Sequence, residues 1–400
     1  MDKVKIGSVV QFCRGVSYKK EQARKTNADG FIAILRANNI EANKLNFDDL
    51  VYVPSDLVQE NQYISNGDII ITMSSGSKAH VGKVAIAQKK LNCSFGAFCG
   101  KLIPKDVVPK YLFYILQSNL FRKHIEHQCK GTNINNIRQS YILDYEISLP
   151  SIAEQERIVA RIEELFSQLD ASVNELKAAK ERLKVYRQAV LKEAFEGDYP
   201  RIQLKEISNA ISGYAFKSKL YTATGKYVVV KIGNVKERYL DFSRDLTCTN
   251  ETDGTILDKY LLQCGDCLIT LTGSRGKRDY GFVTMITDQT NYLLNQRVAA
   301  IRFDREKALP EFFQYYLASP AYRDVFFSYE TGNVGQGNVG IKALTEPTVI
   351  LPDIEQQRQI VEKIESHLSV CDSIEKTVGT ALQQAETLRQ SILMIAFEIK

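Results

Sequence analysis

The sequence predicts an α+β protein in which two similar α/β domains alternate with two long helices, the second half of the chain being an internal repeat of the first. Three observations carry this expectation. Residues 149–196 lie over residues 351–398 at a constant offset of 202 without a gap, and 17 of these 48 positions are identical, among them Leu149/Leu351, Pro150/Pro352, Gln155/Gln357, Asp170/Asp372, Arg187/Arg389 and Phe195/Phe397. Gap-free identity at that density marks a duplication. Residues 151–196 contain neither Gly nor Pro, and Ile162, Leu169, Leu176, Leu183 and Val190 recur every seven residues, the pattern of a long helix with one apolar seam. Ahead of each such stretch lie about 150 residues rich in short β-branched runs bounded by turn residues, which read as a mixed domain used twice.

Taken in order, the first domain spans 1–150, and its opening "KIGSVVQFCRGVSYK" parallels "QLKEISNAISGYAFK" of the second domain, 200–352, with Gly15 over Gly213. "NGDIIIT" from residue 66 parallels "CGDCLIT" from residue 264 as a buried strand. "YLFYILQSNLFRKHI" parallels "FFQYYLASPAYRDVF", both aromatic-rich helices. The Gly/Asn-rich "GTNINNI" from 131 and "GNVGQGNVG" from 332 lead into the strands "YEISLP" and "PTVILP". The helices occupy 151–199 and 353–400. The second places Ile364, Cys371, Val378, Ala385 and Ile392 on the same seam and has Gly379 as its one breaker. Heptad spacing in both predicts that they pair as a coiled coil. Forty residues of helix reach roughly 60 Å, more than one small domain covers.

Composition narrows the function. Four hundred residues, 44% of them hydrophobic, are enough for several cores. No run of 18 apolar residues exists, and "MDKVKIGSVV" lacks signal or transit character, so the expected location is cytoplasmic, without a membrane. The eight cysteines are accordingly expected to be free thiols. Residues 151–197 and 353–400 together carry 13 Lys/Arg against 17 Asp/Glu, leaving 39 against 30 elsewhere, a surplus of nine positive charges outside the helices. That surplus points to a polyanionic partner. The duplication also filters motifs. Cys264 and Cys267 form a lone CxxC whose counterparts are Asn66 and Ile69, and "GSKAHVGK" from 76 departs from a phosphate loop in spacing and in Val84. No nucleophile constellation, paired-carboxylate motif or Gly-rich cofactor fingerprint is present, which favours a binding protein over an enzyme.

The phrase "LP...EQ..IV..I", followed by a long heptad helix ending "RQ..L..AFE" and repeated behind each domain, resembles the DNA-specificity subunit of type I restriction-modification systems over the whole chain. Departures are small: Gln356 stands where the first copy has Glu154, and no glycine follows Glu398 as Gly197 follows Glu196. The resemblance implies a non-catalytic subunit whose two target-recognition domains each grip one half of a bipartite site on double-stranded DNA. The helices would run antiparallel as a spacer, with near two-fold symmetry suited to two copies of one partner. It implies docking of two adenine methyltransferase subunits and, through them, of restriction/translocase subunits. This chain would bind no cofactor; S-adenosylmethionine, ATP and Mg would reside on the partners. The rival reading is a stand-alone DNA methyltransferase or nuclease with built-in recognition domains. The methyltransferase would need a Gly-rich cofactor loop and an Asn/Asp-Pro-Pro-aromatic turn, neither of which occurs.

Comparison of the copies selects candidate readers, because shared positions build scaffold while loops at one place with different polar content suit different DNA. After the "GD...IT" strands come "MSSGSKAHVGK" and "LTGSRGKRDYG". They nominate Lys78, His80 and Lys83 in one domain and Arg275, Lys277 and Arg278 in the other, for phosphates or guanine edges. A second set is Asn133, Asn135, Asn136 and Arg138, with Asn333, Gln336 and Asn338; Asn and Gln match adenine's paired donor and acceptor and are also ordinary turn residues. "NNI" at 38–40 opposite "GNV" at 233–235 is a third loop. In the helices, Leu191, Ala194 and Phe195 read as core, leaving Arg187, Gln188 and Glu196, with Arg389, Gln390 and Glu398, as partner-docking candidates. No metal-ligand set is expected.

Overall fold

The structure, a computed structural model, describes all residues except 1, 2, 42, 78, 79, 129–134, 252, 289, 290, 334, 399 and 400, and the side chains of Asn135 and Glu398 also lie outside the description. The chain forms two compact units, Met1–Lys177 with Gly379–Lys400, and Ala178–Val378. Each unit therefore holds one predicted domain together with part of both long helices, and the boundary falls inside the helices, after Lys177 and after Val378.

The first unit contains β1 (Lys3–Lys5), β2 (Val10–Arg14), β3 (Phe31–Leu35), β4 (Val51–Pro54), β5 (Ile69–Thr72), β6 (Ser74–Ser75), β7 (Val84–Ile86), β8 (Cys93–Phe95) and β9 (Cys99–Pro104). The helices α1 (Pro109–Gln117) and α2 (Asn119–Gln128) follow, then β10 (Asn135–Asn136), β11 (Glu146–Ser148) and the start of α3 (Ile152–Ala194). Its main sheet is antiparallel in the order β2–β9–β5–β7. A second sheet runs β8–β3–β4, with β8 parallel to β3. β5, "IIIT", is buried at every position because it is central and covered on both faces, which is why it reads as a continuous apolar run.

The second unit repeats this plan with β12 (Arg201–Gln203), β13 (Ser208–Ser212), β14 (Tyr227–Val230), β15 (Cys248–Thr249), β16 (Cys267–Thr270), β17 (Thr272–Gly273), β18 (Val283–Met285), β19 (Tyr292–Leu294) and β20 (Val298–Phe303). Then come α4 (Pro310–Ala318), α5 (Pro320–Ser328), β21 (Glu330–Thr331), β22 (Gly337–Val339), β23 (Thr348–Ile350) and α6 (Ile354–Glu398). The order β13–β20–β16–β18 reproduces the first sheet, and β14 lies parallel to β19 as β3 does to β8. The expected α+β architecture, with similar domains and long helices, is what the chain adopts.

Motif residues shared by the copies have local reasons. The Asp of each "GD" accepts from a backbone N–H and from a cation: Asp68 from Ser65 N at 2.8 Å and Lys101 Nζ at 2.9 Å, Asp266 from Gln263 N at 2.8 Å and from both Arg302 Nε and Nη2. Gly67 and Gly265 precede them at φ of 85° and 91°, where a side chain is disfavoured. The Asp266 hydrogen bond also raises the Arg302 pKa. Gly15 and Gly213 are required by approach: a Cβ would meet Gly96 O at 2.1 Å and Asn295 O at 2.0 Å.

The "EQ" motif joins each domain to its helix. Buried Gln155 accepts from Val108 N at 2.8 Å just before α1 and donates to Pro150 O; buried Gln357 accepts from Leu309 N at 2.8 Å just before α4 and donates to Lys307 O and Pro352 O. Both amides satisfy an orphan helix N–H. Gln356, the departure from the first copy, exchanges hydrogen bonds with Asp353 (Asp353 N to Oε1 3.1 Å, Gln356 N to Oδ1 2.8 Å), a reciprocal cap on α6.

Each unit is completed by the end of the other long helix. Phe397 of α6 packs edge-on to Tyr111 of α1 at 5.4 Å, and Phe195 of α3 packs edge-on to Phe312 and Tyr316 of α4 at 5.4 and 5.2 Å. In the first unit Ile162 and Phe166 meet Leu393; in the second, Tyr186 meets His367 and Lys363 pairs with Glu193. Increasing numbers on one helix meet decreasing numbers on the other, so the helices pair antiparallel within each unit.

Candidate nucleic-acid interface

In both units the two loop sets nominated from sequence are brought side by side. β6 pairs with β10 in the register Asn135↔Ser75 and Asn136↔Ser74, and β17 pairs with β22 as Thr272↔Asn338 and Gly273↔Gly337. The basic loop after the "GD...IT" strand and the Asn-rich segment before the last strand thus form one surface. Ile137 N donates to Met73 O at 3.0 Å and Val339 N to Leu271 O at 2.8 Å, carrying the ladder into the core sheet.

In the second unit, hydrogen bonding separates scaffold from free groups. Arg275 Nη1 donates to Gly332 O at 2.6 Å, stitching the two loops together. Arg278, at φ 53°, pairs with Asp324 at 2.6 Å and lies over the Phe327 ring at 5.2 Å. Asn338 Oδ1 accepts from Thr272 Oγ1 at 3.0 Å. Asp279 accepts from Ser274 N at 2.7 Å, and its Ser274 hydrogen bonds hold its carboxyl below the usual range. Lys277, Asn333 and Gln336 remain, all exposed.

Sequence reasoning missed the residue that organises this loop. Arg323 of α5 donates to the carbonyls of Gly281 at 2.8 Å, Arg278 at 3.0 Å and Tyr280 at 3.1 Å, and stacks on Phe327. Burial lowers its pKa. Arg122 of α2 takes the same place in the first unit, donating to Val81 O at 2.8 Å. The signal was available, since both sit in the aligned aromatic helices.

In the first unit Lys78 and Asn133 lie outside the described residues, and for Asn135 only the backbone is described. His80 is exposed, Lys83 half-buried and Arg138 exposed. Asn136 and Arg138 line an open cleft of about 730 Å³ with Arg14, Ala97, Gln139 and Ser140, floored by Phe12 and Met73. In the third nominated loop Asn38 and Gly233 are exposed, but the two central asparagines serve the fold. Asn39 and Asn234 are buried: each caps its turn, accepting from Arg36 N or Lys231 N, and donates to Asp48 O or to Asp241 and Asp245 O. They hold turns.

Among the helix candidates, Gln188 and Glu196 are exposed. Gln390 is half-buried beside a cleft lined by Ser118, Lys123 and Met394. Arg187 and Arg389 are engaged within the chain: Arg187 pairs with Asp372 at 2.6 Å and Glu375 at 3.0 Å, and Arg389 pairs with Asp170 and lies over the Phe166 ring at 4.3 Å. The duplicated Arg thus binds the duplicated Asp of the opposite helix, which accounts for two of the identical positions. Cys267 of the lone CxxC is buried in the sheet, donating to Pro310 O, and burial raises its pKa.

Two similar scaffolds that present polar loops of unlike content at the same place define a duplicated protein with one candidate surface on each copy. The family model for the type I restriction modification DNA specificity domain matches residues 1–181 and again residues 196–384. The chain is 32% identical to the type I restriction enzyme EcoKI specificity subunit of Escherichia coli strain K12, over 98% of this chain and 87% of that protein. It is 31% identical to the StySPI specificity subunit of Salmonella potsdam, with the same coverage. A chain from a solved type I R-M system superposes with a TM-score of 0.74 at 17% identity, covering 99% of this chain and 97% of that one. The HsdS subunit from Thermoanaerobacter tengcongensis gives 0.55 at 17% identity, covering 100% and 96%. The chain belongs to the type I restriction-modification DNA specificity family, whose members are non-catalytic DNA-recognition components.

Proposed function

We propose that this chain reads a bipartite duplex target, domain 1–150 taking one half-site and domain 200–352 the other, while the helix pair carries two adenine methyltransferase subunits. The observation that supports this most is the loop pair on the same scaffold in each unit, alike in backbone pairing and unlike in side chains. Lys277 and Lys83 supply charge and His80 a ring hydrogen-bonding group for phosphates; Gln336, Asn333, Asn136 and Arg138 supply donors and acceptors suited to base edges. The surplus of nine positive charges lies in the segments that hold these loops. Gln188 and Glu196, and their counterparts Gln390 and Glu398, are the repeated helix residues offered to the partner; Arg187 and Arg389 hold the helix pair in shape. S-adenosylmethionine, ATP and Mg belong to the methyltransferase and restriction subunits, the latter reached through the former.

The test is to replace residues 1–150 by the corresponding domain of another specificity subunit and map methylation by the assembled complex. One half of the methylated sequence is expected to change and the other to stay. A target altered in both halves, or in neither, contradicts one reader per half-site.

A further inference from the structure

Beside each candidate loop lies a tight turn. It joins β8 to β9 in the first unit, with Ala97 and Phe98 at its tip, and β19 to β20 in the second, with Gln296 and Arg297. The backbone around it is the same in both copies. Met73 N and Ser74 N donate to Phe98 O at 2.8 and 3.1 Å; Leu271 N donates to Arg297 O at 2.9 Å. On the other side, Val16 N donates to Phe95 O and Ala97 N to Val16 O, while Tyr214 N donates to Leu294 O and Gln296 N to Tyr214 O. Gly15 and Gly213 permit that clamp, since a Cβ there would strike the turn backbone. The turn is thus held on both flanks, as a reading element must be.

Its place is equally specific. Residue 73 bonds the turn through its N–H and the Asn-rich segment through its C=O, and residue 271 does the same. The turn and that segment therefore meet the chain at one and the same residue and lie close together. A DNA major groove is about 12 Å wide, so side chains from both can reach one stretch of it. Ala97 lines the same cleft as Asn136 and Arg138.

The content of the turn differs between copies. Phe98 is 63% exposed, a large ring left in water on a rigid turn. Arg297 is exposed, its side chain bonds to nothing among the described residues, and it holds φ at 74°, a conformation costly for a residue with a Cβ.

We propose that this turn is a third sequence-reading element of each domain, in which Phe98 contacts a thymine methyl in one half-site and the Arg297 guanidinium reads a guanine in the other. The proposal rests on the reading of both domains as DNA binders. Its test uses the full chain assembled with its methyltransferase subunits and duplexes modified one base at a time, thymine to deoxyuridine or guanine to 7-deazaguanine. With the wild type, removing one thymine methyl in the half-site of domain 1–150 is expected to weaken binding about fourfold, and removing one guanine N7 in the other half-site roughly fivefold or more. Phe98→Ala should abolish the first effect and retain the second; Arg297→Asn should do the reverse. The retained effect shows in each case that the variant is folded. If both variants keep both effects, or weaken all duplexes equally, the turn reads no base and the proposal is overturned. A wild-type complex that binds without sequence preference would overturn the functional reading, and this proposal with it.

Discussion

Lys277 and Arg278 are neighbours in sequence with opposite situations. Arg278 is bound by Asp324 and Phe327, whereas the Lys277 side chain is exposed and, among the described residues, makes no hydrogen bond or ion pair, acting only at a distance on Asp279. Both looked alike in the sequence, where a basic tripeptide carries no sign of which cation is already neutralised. If Lys277 holds a phosphate, Lys277→Ala lowers the log–log salt slope of DNA binding by about 0.9, while Arg278→Ala leaves the slope near that of the wild type and loosens the loop. Affinity titrations at several salt concentrations distinguish them; an unchanged slope for Lys277→Ala moves the phosphate contact elsewhere. The same limit applied to Asn39 and Asn234: a polar residue in a Gly/Asn turn looks like a reader until its amide is found capping that turn.

The long helices were the most legible elements, because a heptad seam over forty residues leaves few alternatives. Their ends lie at Ile152–Ala194 and Ile354–Glu398. The seam explains Ile364, Cys371 and Val378, which are buried, but periodicity could not show that Arg187 and Arg389 turn inward to Asp372 and Asp170. Such pairs depend on the stagger of two antiparallel helices, which one helix's spacing does not contain. Gly379 is exposed in the middle of α6, and an added Cβ there would meet nothing within 4 Å. Gly379→Ala is therefore expected to stabilise the protein by about 0.5–1 kcal/mol, read as a raised urea midpoint at unchanged slope. A lowered midpoint would mean that α6 needs glycine at this point.

For the whole molecule, the helices are the continuous elements that belong to both units. If they set the spacing of the half-sites, four residues inserted into each helix at the unit boundary, after Lys177 and after Val378, lengthen the pair by about 6 Å while keeping the seam near register. At about 3.4 Å per base pair, the preferred gap should grow by one to two base pairs, with both half-sites unchanged. Methylation mapping on targets of graded spacing checks this, and a complex that still methylates only the original spacing rules out the helices as the ruler. No helix among the described residues is long and apolar enough to cross a membrane.

The sequence by itself determined the duplication, the domain–helix–domain–helix order, the seam and the two loop sets, because periodicity, gap-free identity and turn composition are properties of neighbouring residues. Only the tertiary structure decided what joins across distance. It set Gln155 and Gln357 on the helix starts, Phe397 on Tyr111 and Phe195 on Phe312, and Arg122 and Arg323 behind the loops. It also placed the turns of Phe98 and Arg297 beside them. Those contacts link residues tens to hundreds of positions apart, and their partners are fixed by strand order and helix stagger, which hydrophobic pattern leaves open.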